Sequence, residues 1–401
     1  MKKLLFRISL GLIAVIFLLL AIFHRPLYRA YRVATLFDEA QIAENFRSMD
    51  TIFDKAVMNK GNPHFALAKA PRPITDTYLW QGREKSISAF LKENSTTGLL
   101  VIKDGVIVHE AYFQGNTKDS KVIAWSVSKS LLSAVFGIAV HEGFIDIEKN
   151  VAHYVPYLKE SGYEKVRIKD VLQMSSGIRF DETYSDPDSD INRMGRSLAL
   201  NTSIDAFVKS LKNERPPGTY NHYVSMDTQV LGMILREATG EPVGAYMERK
   251  LWQPLGTDAD AYWLTDNEGM ELVFGGLNAT ARDYARFGLL YLNNGKLNNR
   301  QIVPEAWVKA SITPDAPHLM PGRREPGKDY PLRGYGYQWW IPPGGNGDYS
   351  AIGIYNQYIY INPELKVVIV KNTAYADYNK DGNEKSRENI AVLRAIANAL
   401  E

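Results

Sequence analysis

Between residues 126 and 142, apolar Val127, Leu131, Leu132, Ala134, Val135, Ile138 and Ala139 fall on several sides of a helical projection. That pattern predicts a largely buried helix, stopped by Gly143. Just upstream, residues 97–113 read TGLLVIKDGVIVHEAYF, two β-rich runs joined by Asp104-Gly105, a strong hairpin signal. Helical patterns return at 203–213, at 226–239 before Gly240, and at 280–294 before Gly295. Strand patterns then resume, with 357–361 and 367–370 flanking Asn362-Pro363-Glu364, and 387–400 closes the chain as an amphipathic helix. Strands at both ends with helices between predict an α/β (α+β) chain. One antiparallel sheet is assembled from distant segments and flanked by helices, with a helical subdomain inserted.

The amino-terminal pattern is different. Lys2, Lys3 and Arg7 precede a run from residue 8 to 23 that is apolar except for Ser9 and Gly11. As a helix it spans about 24 Å, and adding residues 4–6 brings it near the hydrocarbon thickness of a bilayer. The run ends in Phe23-His24-Arg25-Pro26, without the small residues a signal peptidase prefers. Residues 1–23 therefore read as an uncleaved signal anchor, a single-pass transmembrane helix, with a cleaved signal peptide as the alternative. Arg25, Arg29 and Arg32 nearly balance the cations on the other side, and the free amino terminus tips the orientation slightly toward inside. Residues 24–75, broken by Pro63, Pro71 and Pro73, read as a stalk and packing segment, and 76–401 as the main domain.

Composition narrows the chemistry. With no cysteine, disulfides, thiolate metal sites, cysteine nucleophiles and a lipid-modified cysteine are excluded. The net charge of +2 becomes −1 once the three leading cations are set aside, which gives no electrostatic case for nucleic acid. Gly-x-Ser-x-Gly does not occur, and His141-Glu142 lacks the spacing of a zinc protease. Asp186, Asp188 and Asp190 alternate like a calcium loop, but Ile191 and Ser197 stand where an EF-hand needs Gly and Glu. The segment reads as a solvated acidic loop. No metal or other cofactor is expected.

The predicted buried helix carries the one Ser-x-x-Lys tetrad, Ser126-Val127-Ser128-Lys129. The tetrad alone is a weak signal, and Ser126 could be a simple N-cap. Its position strengthens it. Ser126 opens the helix, where backbone N–H groups point outward, and Lys129 lies one turn on, within reach of the hydroxyl. A serine needs a proton acceptor to become nucleophilic. A lysine on an apolar helix can lose its charge to burial and serve.

Together with this tetrad, the blocks VLQMSSGIRFDETYSDP (171–187), PPGTYNHYVSMDTQVLGMILREATG (216–240), GGLNATARDYARFG (275–288) and YSAIGIYNQYIYINPE (349–364) resemble serine β-lactamases and their esterase relatives. Among these the resemblance is nearest to the 6-aminohexanoate-dimer hydrolase branch. It implies a β-lactamase/transpeptidase-like fold and a serine hydrolase working through an acyl-enzyme. The family's second element falls on Tyr223-Val224-Ser225, with Tyr223 as proton relay, its phenol expected to be acidified by the lysine. Its third falls on Ala351-Ile352-Gly353, with the N–H groups of Ser126 and Ile354 as the oxyanion hole and Gly353 allowing close approach. The resemblance further implies Tyr184, Ser225 and Asn278 near the substrate; Trp339 and Trp340, adjacent aromatics, read as core or pocket wall rather than chemistry. Ala351 replaces the cation of the Lys-Thr-Gly strand, which implies small neutral esters or linear amides. A cell-wall D-Ala-D-Ala peptidase or β-lactamase, and a tethered binding or sensing module without turnover, are the alternatives. With the anchor, a bacterial inner-membrane protein with an extracytoplasmic domain is expected.

Overall fold

The computed structural model describes Gly11 and residues 28–199, 203–378, 380 and 384–401. The expected anchor at 1–23 lies almost wholly outside these residues. No helix among the described residues is long and apolar enough to cross a membrane.

The core sheet has seven strands: β1 (Thr96–Lys103), β2 (Val106–Tyr112), β3 (Gly334–Tyr335), β4 (Trp340–Ile341), β5 (Tyr349–Gly353), β6 (Gln357–Asn362) and β7 (Val367–Thr373). Their order is β3-β4-β5-β6-β7-β1-β2, and every pairing is antiparallel. The expected hairpin is β1–β2. Asp104 and Gly105 both adopt positive φ (51° and 80°), the twist a two-residue turn between antiparallel strands requires. Both faces of the sheet are covered, which is why β1 and β7 read as continuous apolar runs. Leu100, Ile102, Val368 and Val370 pack into the main core. Leu99, Val101, Val367 and Ile369 pack into a second core with Ile390, Leu393 and Ile396.

Four helices matter for the site: α1 (Val127–His141), α2 (Ser225–Thr239), α3 (Ala281–Leu292) and α4 (Glu384–Asn398). Each lies within a few residues of its expected span. The helix at 203–213 shortens to Ile204–Ser210. The acidic segment is only partly a loop, because Asp190–Ala199 is helical. Asp190 accepts the Asp181 N–H at 2.9 Å and pairs with Arg193 at 3.0 Å.

The packing segment is woven in well before residue 76. Leu36, Ile42 and Phe46 are buried in the main core. Lys55–Met58 joins Ala261–Leu264, Leu277–Ala279 and Val122–Ile123 in a second antiparallel sheet. That sheet ends immediately before the helix that carries the tetrad.

Candidate active site

Trp125 has φ 47°, so the chain turns sharply out of Val122–Ile123, and Ser126 follows as the residue that opens α1. One turn on, Lys129 is 1% exposed. Its Nζ donates to Ser126 Oγ at 3.0 Å, to Ser225 Oγ at 3.3 Å and to the Phe274 carbonyl at 2.6 Å. Burial pushes the lysine down to about 7, and the charge of Glu182 pulls it partly back up. Near neutral pH the amine is therefore uncharged much of the time, as a proton acceptor must be.

Tyr223 stands at the entry to α2. The neighbouring His222 fixes that entry through its N–H on the Met174 carbonyl (2.8 Å) and its ring nitrogen on the Phe180 carbonyl (2.9 Å). The Tyr223 ring stacks on Trp340 (5.4 Å, 24°) and meets Tyr335 edge-on (6.4 Å, 88°), while Lys129 Nζ lies 5.1 Å from its centroid. The expected acidification of this phenol is overturned. Burial and then the Glu182 charge push it well above the usual tyrosine range, and only its hydrogen bond with Ser126 works the other way. A lysine whose own charge is weakened by burial offers too little pull to offset this. Tyr223 stays a protonated phenol, able to hand on a proton but not to act as a standing anion.

Ser225 is the first residue of α2. It accepts from Lys129 and donates its hydroxyl to Glu182 Oε1 at 2.5 Å, while its N–H donates to Glu182 Oε2 at 3.0 Å. A carboxylate across a helix N-terminus is the favourable placement. Tyr184 donates to the same Oε1 at 2.7 Å. Glu182 thus ties two predicted site residues, Ser225 and Tyr184, together, yet sequence reasoning passed over it. Its signal was its place in Asp181-Glu182-Thr183-Tyr184, where only the tyrosine attracted notice.

At the end of β5 the backbone runs beside the nucleophile. A Cβ on Gly353 would lie 3.3 Å from the Ser126 nitrogen and 2.6 Å from the Ala124 carbonyl, so only glycine permits the approach. Ile354 follows and lines the same cleft. Asn278 does not reach it. It is fully buried on Leu277–Ala279, paired with Ile123 and Tyr262, and its amide donates to the Gly276 carbonyl at 2.9 Å. The substrate role expected for Asn278 is therefore withdrawn: it braces the sheet that leads into Ser126. Trp339 is core and Trp340 is pocket wall.

Ser126, Glu182, Tyr184, Tyr223, Trp340, Gly353 and Ile354 border one cleft of about 1360 Å³, ample for a small linear substrate. Among the described residues, no cluster of His, Asp and Glu is grouped to hold a metal ion.

A mixed sheet-and-helix fold with an abutting serine, neutralised lysine and tyrosine at a cleft floor defines a serine hydrolase of the penicillin-recognising type. Residues 84–394 match the Beta-lactamase family model, and the chain belongs to that family. It is 30% identical over 345 residues to the 6-aminohexanoate-dimer hydrolase of Paenarthrobacter ureafaciens, covering 83% of this chain and 85% of that one. A solved Bacillus anthracis structure, provisionally designated a 6-aminohexanoate-dimer hydrolase, superposes with a TM-score of 0.78 at 24% identity, over 90% of this chain and 95% of that one. The structure of EstCE1, a hydrolase with promiscuous acyltransferase activity, shares the fold at a TM-score of 0.59 and 15% identity, over 78% and 96% of the two chains.

Proposed function

We propose that the protein hydrolyses small esters or linear amides through an acyl-enzyme on Ser126. Lys129 takes the proton from Ser126 Oγ as that oxygen attacks the substrate carbonyl carbon. The resulting oxyanion is held by the N–H groups of Ser126 and Ile354. As the tetrahedral species collapses, the Tyr223 hydroxyl protonates the departing alkoxide or amine and is reprotonated by the Lys129 ammonium. Water then attacks the acyl-enzyme by the same route in reverse, releasing the acid and restoring Ser126. The observation that carries this reading is the 3.0 Å contact between Ser126 Oγ and a buried lysine held near pH 7.

Two observations bear on the substrate, the first on how its charge is held and the second on its linear amide bond. Ala351 is buried in β5 where a carboxylate-gripping cation would stand, and the 30% identical relative is named for a linear amide. The test is turnover of p-nitrophenyl esters and of short linear amides beside a β-lactam. Ester and amide cleavage abolished by Ser126→Ala supports the reading, whereas turnover surviving that substitution contradicts it.

The apolar run at residues 8–23 supports a single-pass anchor in a bacterial inner membrane with the catalytic domain outside the cytoplasm. The expected result is that the full chain, expressed in a bacterium, stays with the membrane through alkaline carbonate. Recovery in the soluble fraction would contradict it.

A further inference from the structure

We infer that Phe37 and Phe46, which precede the seven-stranded sheet and lie outside the cleft, are positioning residues for the oxyanion hole. The inference rests on the acyl-enzyme reading above. Both proposed oxyanion donors sit next to a residue in the left-handed region. Trp125, just before Ser126, has φ 47°; Tyr355, just after Ile354, has φ 58° and ψ 21°; Asn356 follows at φ 65°. Bulky L-residues rarely adopt this conformation, and it persists only where surroundings over-determine it.

Five rings supply those surroundings, one of them Tyr378, which lines the cleft and packs on Tyr355 at 4.5 Å. Trp125 and Tyr355 pack on each other at 5.6 Å. Phe46 meets Trp125 edge-on at 5.3 Å and Tyr355 at 4.9 Å. Phe37 stacks on Tyr355 (5.5 Å, 14°) and lies 6.0 Å from Trp125. The two phenylalanines also meet, at 6.4 Å. Each ring of the segment therefore touches both of the strained residues.

The segment is fixed from behind. Asn45 donates to the Thr35 and Leu36 carbonyls at 3.1 and 3.0 Å and accepts from Arg32 at 2.8 Å, while Arg47 reaches the Gln114 carbonyl at 3.0 Å. Ser126, Ile354 and Asn356 border the cleft, whereas Phe37, Phe46, Trp125 and Tyr355 do not. Phe37 and Phe46 touch the site through Trp125 and Tyr355, and so hold the loop backbones that aim the two N–H groups. Such donors work through preorganisation, and small displacements are expensive.

The test uses the full chain with Phe37→Ala, Phe46→Leu and Phe37→Tyr, rates being normalised by active-site titration with a fluorophosphonate. Phe37 is 47% exposed, so its truncation leaves the core intact. Phe37→Ala and Phe46→Leu are expected to lower kcat roughly tenfold, with KM within about twofold. Affinity for a boronic acid, whose tetrahedral adduct needs the same donors, should fall in parallel. The pH midpoint set by Lys129 should stay in place, and Phe37→Tyr should restore the rate. The inference is overturned if kcat and boronate affinity stay within about twofold of the parent. It is equally overturned if the loss vanishes on titration, which would mean fewer sites working at full rate. Activity that survives Ser126→Ala would instead sink the acyl-enzyme reading itself.

Discussion

Among the described residues two lysines are almost wholly removed from water, and only one of them is equipped for chemistry. Lys129 on α1 and Lys371 on β7 are 1% and 0% exposed, and burial drives both ammonium groups down. Lys371 donates to Asn94 Oδ1 and lies 5.8 Å from the Phe90 centroid, inside the packing between sheet and helix and away from the cleft. Lys129 meets a serine hydroxyl at 3.0 Å and a second hydroxyl linked to Glu182, and that first serine, Ser126, borders the cleft. Desolvation alone therefore makes a neutral amine. A base needs in addition a hydroxyl within hydrogen-bond reach and space for the substrate beside it.

The sharpest way to break this contrast is to replace each lysine by methionine. Lys129→Met is expected to lower kcat by about 10⁴-fold, measured on a p-nitrophenyl ester. Lys371→Met should leave kcat unchanged, and comparable losses from both would erase the distinction. Tyr223→Phe comes next, with a drop in kcat of about 10²-fold and little change in KM. The loss should be smaller for p-nitrophenyl esters, whose leaving group needs no proton, than for amides. Equal losses on the two substrates would remove Tyr223 from the leaving-group step.

Glu182→Gln has a smaller effect and a diagnostic direction. The Glu182 charge raises the Lys129 pKa against the dominant effect of burial. Its removal should move the ascending limb of the pH–rate profile below its parental midpoint near 7. A limb that stays put or moves up would show that the carboxylate does not feel the lysine. The smallest effect concerns Lys371 and stability. Its folded pKa lies below its unfolded value of 10.5, so the unfolded chain binds more protons over that interval, and stability rises with pH until the unfolded lysine deprotonates. Thermal melts should show this rise in the parent but a smaller one in Lys371→Met. Parallel pH dependence in the two would contradict a buried neutral Lys371.

What could be read from the chain follows from how local each signal is. The Ser126–Lys129 pair is one helical turn, so spacing alone brings the two groups together, and the β1–β2 hairpin announces itself through Asp104-Gly105. Tyr223 and Ser225 became legible only through resemblance to a family, because nothing local ties them to a helix about a hundred residues earlier. Glu182 was missed for the same reason. Its partner Ser225 lies 43 residues on, and a carboxylate in an acidic loop reads as solvated. Asn278 was misplaced by analogy, since position within a matching block says nothing about which way a side chain in a sheet points. The Tyr223 acidity was misjudged because proximity to a lysine was counted without the burial that also strips that lysine of charge.

The central claim is that Lys129 loses its proton near neutral pH and so activates Ser126. The most direct measurement is the rate of fluorophosphonate labelling of Ser126 as a function of pH. The rate should climb through a midpoint near 7, as the neutral amine appears, and level off above it, with the limb missing in Lys129→Met. A rate flat across neutrality, or rising only toward the ordinary range of an exposed lysine, would contradict the account.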